Sequence, residues 1–385
     1  MPKHATLSAS GSHIWLNCTP AIKLSEGIPD KQTDFTREGT IAHRLAELKL
    51  GVIYGLISGE ELITGMKEVS ESEYYSEEME NFIQGYVDWI EEIYNGVKGQ
   101  SEDCELLTEQ RLDFSSWVPG GFGTGDVVII ADGTLTVIDL KYGKGVPVDA
   151  YHNPQLMLYG LGAYDSFSLS NDISRVRMII NQVRLDSISE YEVTVEELLE
   201  WGDKVVKPRA EMAIKGEGEA RPGDWCRFCK CRAVCRARAE EALEVAKYEF
   251  RDPPLLEDEE ISDILGRVSR IQSWISDVKD YAQEEAEHGR QWPGWKLVEG
   301  RSNRKYTDPQ EVEKRLLAAG FEKVLLFKDP ELLGITAMEK VVGGKKKLEK
   351  LCEGLIVKPP GAPTLVPESD KRPALNTAKT DFEED

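Results

Sequence analysis

The strongest structural signal in the chain is the sequence DVVIIADGTLTVIDLK at residues 126–141. Two runs rich in β-branched residues, 126–130 and 134–140, flank an Ala-Asp-Gly tripeptide. Asp-Gly between two such runs is typical of a β-hairpin with a tight turn. We therefore predict two antiparallel strands, with Asp126 opening the first strand and Asp139 closing the second.

The segments around this hairpin alternate between helical and extended patterns. Ile41, Leu45 and Leu48 stand at helical spacing behind a Thr-x-x-Gly sequence, which predicts a helix that begins near Gly39. The apolar and turn patterns as a whole predict helices at 36–50, 58–97, 151–165 and 195–215, and further strands at 106–112 and 175–183. This order of elements is typical of an α/β core with a mixed sheet.

A change in residue composition and pattern after residue 250 indicates a second domain. An Arg-Asp-Pro-Pro segment at 251–254 precedes a run of acids and a long helical pattern at 258–288. The predicted organisation is a first domain at 1–250, a mainly helical accessory domain at 255–357 and a disordered acidic tail at 358–385.

The composition excludes several classes of protein. Of the 385 residues, 47 are Lys or Arg and 69 are Asp or Glu, which gives a net charge of −22. That sign excludes a protein that coats nucleic acid through its overall charge, so any DNA site must be a local basic path. The sequence holds no apolar run of about 18 residues and no apolar stretch near its start, so we expect a soluble, intracellular protein without membrane contacts.

Three groups of basic residues are candidates for such a path, although each can equally be a solvated helix or loop face. The first group is Arg227, Lys230, Arg232, Arg236 and Arg238. The second is Arg301, Arg304 and Lys305, and the third is Lys345, Lys346, Lys347 and Lys350.

Carboxylates at the far ends of the predicted hairpin could share a cation. In an antiparallel pair the first residue of one strand lies beside the last residue of the other, which brings Asp126 to Asp139. Hard cations such as Mg²⁺ prefer carboxylate oxygens. Lys141 follows Asp139 at the strand period of two, so both side chains lie on one face, and the ammonium can position an attacking water or stabilise a developing anion.

Two further residues are candidates for the same site. Glu109 lies on the strand before the hairpin and could reach the cation from there, although the neighbouring acids leave its register open. His43 on the first helix is a candidate ligand, with Glu47 one turn further along the same face. Taken singly, an Asp-x-Lys sequence is more often a surface ion pair and a lone histidine is more often structural. The prediction therefore depends on these residues occurring together.

The order of these motifs resembles that of the RecB-like branch of the PD-(D/E)XK nucleases. The resemblance covers roughly residues 7–240 and implies a restriction-endonuclease-like core. Besides a glutamate on the first strand, the matching segments are GTIAH at 39–43, G-x-x-D at 123–126, DLK at 139–141 and Q-x-x-x-Y at 155–159.

This resemblance also implies roles for single residues. The implied ligands of a Mg²⁺ or Mn²⁺ ion are His43, Asp126 and Asp139. The implied catalytic residues are Asp126, Asp139, Lys141, Glu109, Gln155 and Tyr159. Within that set Lys141 is the catalytic lysine, and Gln155 with Tyr159 orders the site and the DNA backbone.

The seven cysteines are distributed unevenly along the sequence. Cys18, Cys104 and Cys352 stand apart, whereas four others crowd together between residues 226 and 235. In an intracellular chain such crowding is typical of metal binding rather than of disulfides. Tetrahedral Zn²⁺ is one candidate, although zinc sites usually consist of two close pairs of ligands.

The cysteine spacing resembles that of the iron–sulfur nucleases of the same superfamily, namely the AddB-type helicase–nucleases and the CRISPR-associated exonucleases. The shared pattern is C-x₂-C-x₅-C with a remote cysteine in a segment like S-x-S…C-x-P, here LSASGSHIWLNCTP at 7–20. It implies a [4Fe–4S] cluster on Cys18, Cys226, Cys229 and Cys235, which would tie the two ends of the domain together. Cys231 is then spare, unless it replaces Cys229 or Cys235.

A weaker resemblance extends over the whole chain. WLNC, EGTIAH, DLKYG and NPQLMLY segments are similar to those of RecB-like proteins of bacteriophages and prophages whose function is unknown. It implies a role in phage DNA replication or recombination in the cytoplasm of a bacterial host. DNA ends and a phage recombination or single-strand-binding protein are the partners that it suggests.

We therefore predict a metal-dependent deoxyribonuclease, more an exonuclease acting on DNA ends than a sequence-specific endonuclease. Its DNA contacts are predicted at Arg227, Lys230 and Arg232. Two other classes stay open: a non-catalytic DNA-binding or recombination accessory protein with a nuclease-like fold, and a zinc-stabilised scaffold protein.

Overall fold

A computed structural model describes residues 5–29, 33–99, 103–245, 256–295 and 345. The chain divides into two compact units, Met1–Gly289 and Arg290–Asp385. The long helix predicted at 258–288 is present as α10 (Asp258–Glu287), and it belongs to the first unit. The tail predicted at 358–385 and nearly all of the predicted accessory domain beyond α10 lie outside the described residues.

Five strands form one mixed sheet in the order β1-β2-β3-β4-β5. They are β1 (Glu105–Asp113), β2 (Phe122–Ala131), β3 (Thr134–Leu140), β4 (Arg175–Gln182) and β5 (Ser187–Thr194). The β3–β4 pair is parallel and the other pairs are antiparallel. A parallel pair needs a crossover connection, and the chain between β3 and β4 contains a helix. The predicted α/β class with a mixed sheet is confirmed.

The turn between β2 and β3 consists of Asp132 and Gly133, between the paired residues Ala131 and Thr134. Both turn residues have positive φ, 47° at Asp132 and 68° at Gly133. A type I′ turn requires this conformation at both positions, and Asp-Gly is among the sequences that adopt it most readily. The predicted hairpin is therefore confirmed.

The start of β2 differs from the prediction. β2 begins at Phe122, because residues 122–125 pair with β1 before the hairpin itself is reached. Asp126 thus lies inside β2 instead of opening it. The β2–β3 register pairs Val127 with Ile138, and its next position places Asp126 beside Asp139.

β5 was not predicted from the sequence. Its residues, SISEYEVT, alternate between exposed and half-buried positions, and only Val193 is buried. β5 lies at an edge of the sheet and packs one face on the core, so its polar outer face gives little apolar signal.

Helices cover both faces of the sheet. One face carries α3 (Asp34–Ile53), α4 (Gly59–Glu71) and α5 (Glu77–Lys98), whose core includes Leu45, Leu48, Ile83, Val127 and Ile138. The other face carries α6 (Pro154–Phe167), α7 (Val195–Trp201) and α8 (Lys207–Lys215), whose core includes Val128, Val137, Leu158, Leu198 and Ala210. The result is a three-layered α/β/α arrangement.

Two helices begin elsewhere than predicted, because capping residues fix their first turns. α3 begins at Asp34 rather than near Gly39, since the Thr33 hydroxyl accepts a hydrogen bond from a first-turn amide. α6 begins at Pro154 rather than at residue 151. The Asn153 side chain caps it, and proline fits the first helical position.

Two predicted helical regions are each divided in the structure. The region at 58–97 forms α4 and α5, which Ser58 and Ser76 cap separately. The region at 195–215 forms α7 and α8 with a π-helical turn, Gly202–Val206, between them.

The first helices of the chain lie against α8 and the turn that follows it. α1 (Ser12–Trp15) and α2 (Ala21–Leu24) contact α8, and α1 also contacts the 3₁₀ turn Asp224–Phe228. The Thr19 hydroxyl donates a hydrogen bond of 2.6 Å to the carbonyl of Glu217. α9 (Arg236–Leu243) then packs against α10. Within the described ranges, every helix is too short or too polar to cross a membrane.

Candidate functional site

Three carboxylates from three adjacent strands lie in one row across the sheet. The β1–β2 ladder pairs Thr108 with Val127 and Gln110 with Gly125, which places Glu109 opposite Asp126. The hairpin register places Asp139 on the other side of Asp126. We call Glu109, Asp126 and Asp139, with His43 and Lys141, the carboxylate site.

Glu109 occupies a strained position in this row. Its φ is 47°, a left-handed conformation that costs a side-chain-bearing residue on the order of 1–3 kcal/mol. One carboxylate oxygen of Glu109, one of Asp126 and a ring nitrogen of His43 all lie within 4.8 Å of one another. The strained backbone thus belongs to a residue of the candidate metal group.

His43 reaches the row from α3, on one face of the sheet. Its Nδ1 atom lies 3.0 Å from Oδ1 of Asp126, and the other oxygen of Asp126 accepts a 2.7 Å hydrogen bond from the amide of Leu140. The metal group predicted from the sequence was His43, Asp126 and Asp139. In the structure the compact group is His43, Glu109 and Asp126, because Asp139 is held by other partners. Glu47, also proposed beside His43, instead pairs with Arg44.

Asp139 and Lys141 are held from the opposite face by α6. The amide nitrogen of Gln155 donates to Oδ1 of Asp139 at 3.1 Å, and Nζ of Lys141 donates to the amide oxygen of Gln155 at 3.2 Å. The same Gln155 nitrogen donates to the hydroxyl of Tyr159 at 3.2 Å. Nζ of Lys141 also lies 2.9 Å from Oδ2 of Asp139 in an ion pair. The predicted Gln155 and Tyr159 therefore meet the predicted Asp139 and Lys141.

Gly123, the glycine of the G-x-x-D motif, leaves room for the Tyr159 ring. A Cβ atom at Gly123 would lie 2.5 Å from Cε1 of Tyr159, closer than any van der Waals contact. The absence of a side chain on β2 therefore lets the Tyr159 ring lie against the strand and reach Gln155.

Neighbouring charges shift the pKa values of the two hairpin carboxylates in opposite directions. Burial alone would raise the pKa of Asp126, but the charge and hydrogen bond of His43 and the Leu140 amide hold it below its ordinary value. Burial raises the pKa of Asp139; Lys141 opposes this rise, and Asp126 adds to it. Burial would lower the pKa of Lys141, but Asp139 raises it above its ordinary value. Lys141 is therefore an ammonium at neutral pH.

The groups nearest α3 also have shifted pKa values. Burial opposes the charged imidazole of His43, but the charge and hydrogen bond of Asp126 outweigh it and raise the pKa to about 9. Burial and the negative charges of Asp126 and Glu47 raise the pKa of Glu109 to about 8. A cation placed between Glu109 and His43 would lower both pKa values, because it favours the ionised carboxylate and the neutral imidazole.

The donor set of the carboxylate site fits a divalent cation. Oδ2 of Asp139 is buried and, among the described residues, accepts no hydrogen bond beyond its ion-pair contact with Lys141. Three carboxylates face one lysine, so the site has an excess of negative charge once His43 is neutral and Glu109 is ionised, which are the protonation states that a bound cation favours. Carboxylate oxygens suit Mg²⁺ and Mn²⁺, and imidazole is a further ligand for transition metals.

Tyr86 of α5 was missed by the sequence analysis. Its side chain is buried, its hydroxyl has no hydrogen-bond partner among the described residues, and burial together with the carboxylate site raises its pKa well above its ordinary value. From the sequence, Tyr86 is recognisable only as a residue of the apolar face of α5. A tyrosine in an apolar helix face gives no signal that would distinguish it from a core residue.

The predicted cysteines come together where the segment after α1 meets the segment between α8 and α9. Cys18 follows α1, and it lines one space with Cys226, Cys229, Cys231 and Cys235. We call these five residues the cysteine site. Its walls include apolar groups such as Ile14 and Trp225.

Cys231, predicted to be spare, lies inside the cysteine site. It is 4% exposed, and its Sγ atom lies 3.4 Å from that of Cys229. Hydrogen bonds from the Cys231 thiol lower the pKa of Cys229 and that of Cys235 to about 6. Five candidate thiols are therefore present, and the described cysteines are free of disulfides.

The predicted basic path is only partly available for DNA. Arg227 is exposed, and its guanidinium lies 5.6 Å from the centre of the Phe228 ring. Arg232 instead donates a 2.9 Å hydrogen bond to Asp277 of α10, and Arg238 is buried against the same carboxylate. The groups predicted at 301–305 and 346–350 lie outside the described residues.

Comparison with known proteins gives a weak structural likeness and a family match over most of the chain. Among solved structures, one titled "Crystal structure of SSO0001" is 18% identical and covers 59% of this chain and 96% of that one, with a TM-score of 0.24. A likeness that weak carries no argument about fold or function. A family model described as "Protein of unknown function (DUF2800)" matches residues 4–373. Because this match spans nearly the whole sequence, the chain belongs to the DUF2800 family.

Proposed function

We propose that the protein is a metal-dependent deoxyribonuclease with a PD-(D/E)XK core, and that it acts as an exonuclease on DNA ends. The observation that carries the proposal is the meeting of Asp126, Asp139 and Lys141 with Glu109 and His43 at one row of the sheet. Phosphodiester hydrolysis needs charge to be neutralised on the phosphate and a water to be made nucleophilic. The residues of the carboxylate site have the chemistry for both.

A divalent cation held by His43, Glu109 and Asp126, with Asp139 beside it, would neutralise the scissile phosphate and polarise the attacking water. Lys141 is charged, and it is fixed between Asp139 and the Gln155 amide. An ammonium so placed positions the attacking water or stabilises the developing anion. Tyr159 fixes Gln155 in turn, which keeps the ammonium from turning away from the site.

We also propose a [4Fe–4S] cluster in the cysteine site. Its support is the arrival of Cys18 beside cysteines some two hundred residues later, in a space with apolar walls. Among the described residues, no three cysteine sulfurs lie within 4.8 Å of one another. Zn²⁺ held by four of these thiolates is the alternative. Iron, sulfide and zinc analysis of protein purified without oxygen separates the two.

The setting that we propose is the replication or recombination of phage DNA, with a recombination or single-strand-binding protein as partner. It is supported by the sequence resemblance described above. The rival is a non-catalytic accessory protein of similar fold, for which the complete set of Asp126, Asp139 and Lys141 would have no use.

The test compares end-labelled linear DNA with closed circular DNA, single-stranded and duplex, with Mn²⁺, with Mg²⁺ and with EDTA. We expect metal-dependent release of nucleotides from linear DNA, with circular DNA left intact. Cleavage of circles would replace the exonuclease by an endonuclease. DNA binding without cleavage in either metal would favour the accessory protein and overturn the nuclease proposal.

A further inference from the structure

Three aromatic rings outside the carboxylate site lie against one another at an edge of the sheet. The ring centres of Tyr151 and His152 are 4.3 Å apart, and the Tyr191 ring lies 5.0 Å from the first and 4.9 Å from the second. The hydroxyl of Tyr191 also lies 3.3 Å from Nδ1 of His152. Despite these contacts Tyr151 stays 65% exposed, so one ring of the group offers a large free surface.

The backbone holds these rings in place independently of their mutual contacts. The Asp149 carboxylate accepts hydrogen bonds from the amide of Tyr151 at 2.9 Å and from the hydroxyl of Ser189 at 2.7 Å. Ser189 in turn accepts a hydrogen bond from the amide of Ala150. These bonds tie the loop to β5. His152 adopts a left-handed φ of 49°, a strained backbone state that directs its ring toward Tyr151 and Tyr191.

The rings lie close to the carboxylate site. His152 precedes Gln155 by three residues, so their Cα atoms are at most about 11 Å apart. Across the sheet, Asp139 pairs with Ile180, and Ile180 pairs with Ser189. Two strand spacings, about 10 Å, therefore separate Asp139 from the residue that anchors the loop.

We propose that Tyr151, supported edge to face by His152 and Tyr191, is a stacking platform that receives an unpaired base of a single-stranded DNA end whose backbone enters the carboxylate site. The proposal rests on the nuclease function and names the form of DNA on which it acts. Exposed aromatic rings bind bases of any sequence, because every base has a π face. Bases in a duplex already stack on one another, so a duplex gains little from such a platform.

The charge of the protein favours this mode of binding. With a net charge of −22 the chain repels DNA at long range, and phosphate contacts alone must overcome that repulsion. Stacking depends little on charge. A ring platform therefore supplies affinity that the acidic composition does not weaken, and it supplies it to single strands.

The test measures binding by fluorescence anisotropy in EDTA, where no metal-dependent cleavage occurs. The ligands are a labelled oligothymidylate, an oligonucleotide of equal length without bases, and a blunt duplex. Tyr151→Ala should weaken oligothymidylate binding about 5- to 150-fold, the value of one base–aromatic stack, and should leave duplex and abasic binding nearly unchanged. Tyr151→Phe should bind like wild type. Phe35→Ala is the matched control, because Phe35 is 78% exposed on α3 and lies outside the platform.

A stacked base has its own signature, since 2-aminopurine in the strand should lose fluorescence with wild type and keep it with Tyr151→Ala. The platform is wrong if Tyr151→Ala binds oligothymidylate like wild type, if it loses affinity equally for all three ligands, or if wild type does not prefer the strand with bases. A parallel cleavage assay with Mn²⁺ separates the two proposals. Ring-dependent binding without cleavage would overturn the nuclease and keep the platform, and cleavage with ring-independent binding would do the reverse.

Discussion

The carboxylate site and the cysteine site are built in different ways. The carboxylate site lies on three strands of a paired sheet, and helices whose cores include Leu45 on one face and Leu158 on the other hold it in place. The cysteine site lies on turns and on α1 and α2, which have four residues each. A four-residue helix has too few internal hydrogen bonds to hold its own position. The first site is thus fixed by paired strands, whereas the second is held by fewer contacts, among them buried Trp15 and the hydrogen bond from Thr19 to Glu217.

This difference predicts opposite costs for losing a ligand. Replacing Asp139 by a neutral residue removes a charge whose pKa is raised by burial and by Asp126, while packing stays intact, so catalysis should fall and stability should not. Removing a thiol that holds a bound cluster would weaken the connection between α1, α2 and the residues after α8, which otherwise includes the hydrogen bond from Thr19 to Glu217. In that case folding should fail first, and catalysis should fail as a consequence.

The largest expected effect is the loss of catalysis when Asp139 is replaced by asparagine. We expect the cleavage rate to fall about a thousandfold or more, because the change removes a charge needed near the transition state, and Lys141→Ala should do the same. Thermal unfolding of Asp139→Asn should occur at or above the wild-type temperature. Asp132→Asn is the matched control: it removes a carboxylate from the turn of the same hairpin, where asparagine is well accommodated. Wild-type cleavage by Asp139→Asn, or an equal loss in the control, would show that the site is elsewhere.

The second prediction concerns the cysteine site. Protein purified without oxygen should be brown, with about four irons and four sulfides per chain, and Cys18→Ser should lose the colour. Because a clip that closes so long a loop is worth about 3–5 kcal/mol, the midpoint of thermal unfolding should fall by on the order of 10 °C. Cys104→Ser should keep both colour and stability, since Cys104 lies on the opposite sheet face outside the cysteine site.

The Cys231→Ser variant tests which four of the five thiols are ligands. If the ligands are those implied by the sequence resemblance, Cys231→Ser should keep the colour. A brown Cys18→Ser protein together with a bleached Cys231→Ser protein would make Cys231 the fourth ligand. Zinc in equal amount to protein, with no iron, would contradict the cluster altogether.

Much of the fold could be predicted because its signals are local. The hairpin depends on two adjacent turn residues, Asp132 and Gly133, and on the runs beside them. Its register then brings Asp126 to Asp139 without knowledge of the rest of the chain. The helical period likewise places Gln155 and Tyr159 one turn apart on α6. The cap at Asn153, and not the apolar pattern, fixes where that helix begins.

The remaining features depend on contacts between distant segments. The place of Glu109 beside His43 follows from the β1 register and a left-handed backbone, and neither has a sequence signal in a segment with several acids. Arg232 is predicted to contact DNA, and the sequence gives no sign that Asp277, 45 residues later, also pairs with it. The contact of Tyr191 with Tyr151 depended on β5, whose alternating polar residues gave no strand prediction.

A smaller effect, on stability, is expected from adding a side chain at Gly123, beside the Tyr159 ring. Gly123→Ala places a methyl group against the Tyr159 ring and should cost about 1–3 kcal/mol in urea unfolding, with weaker cleavage because Gln155 loses its support. In a Tyr159→Leu background the cost should shrink, since the ring that clashes is gone. An undiminished cost in that background would show that the glycine serves the β2 backbone and not the ring.

The smallest effect distinguishes a DNA contact from a structural ion pair beside the cysteine site. Arg227→Ala should lower the slope of log affinity against log salt by about 0.9 for duplex DNA and by about 0.7 for single strands, because one phosphate contact is lost. Arg232→Ala removes the same charge five residues later, but its guanidinium already pairs with Asp277. That variant should keep the slope and lose on the order of 0.5–1 kcal/mol of stability, since the pair is partly exposed. Salt titrations of both variants on one labelled oligonucleotide give the comparison. If both variants lower the slope of log affinity against log salt equally, Arg232 also contacts DNA. If neither variant changes that slope, the DNA lies away from the cysteine site.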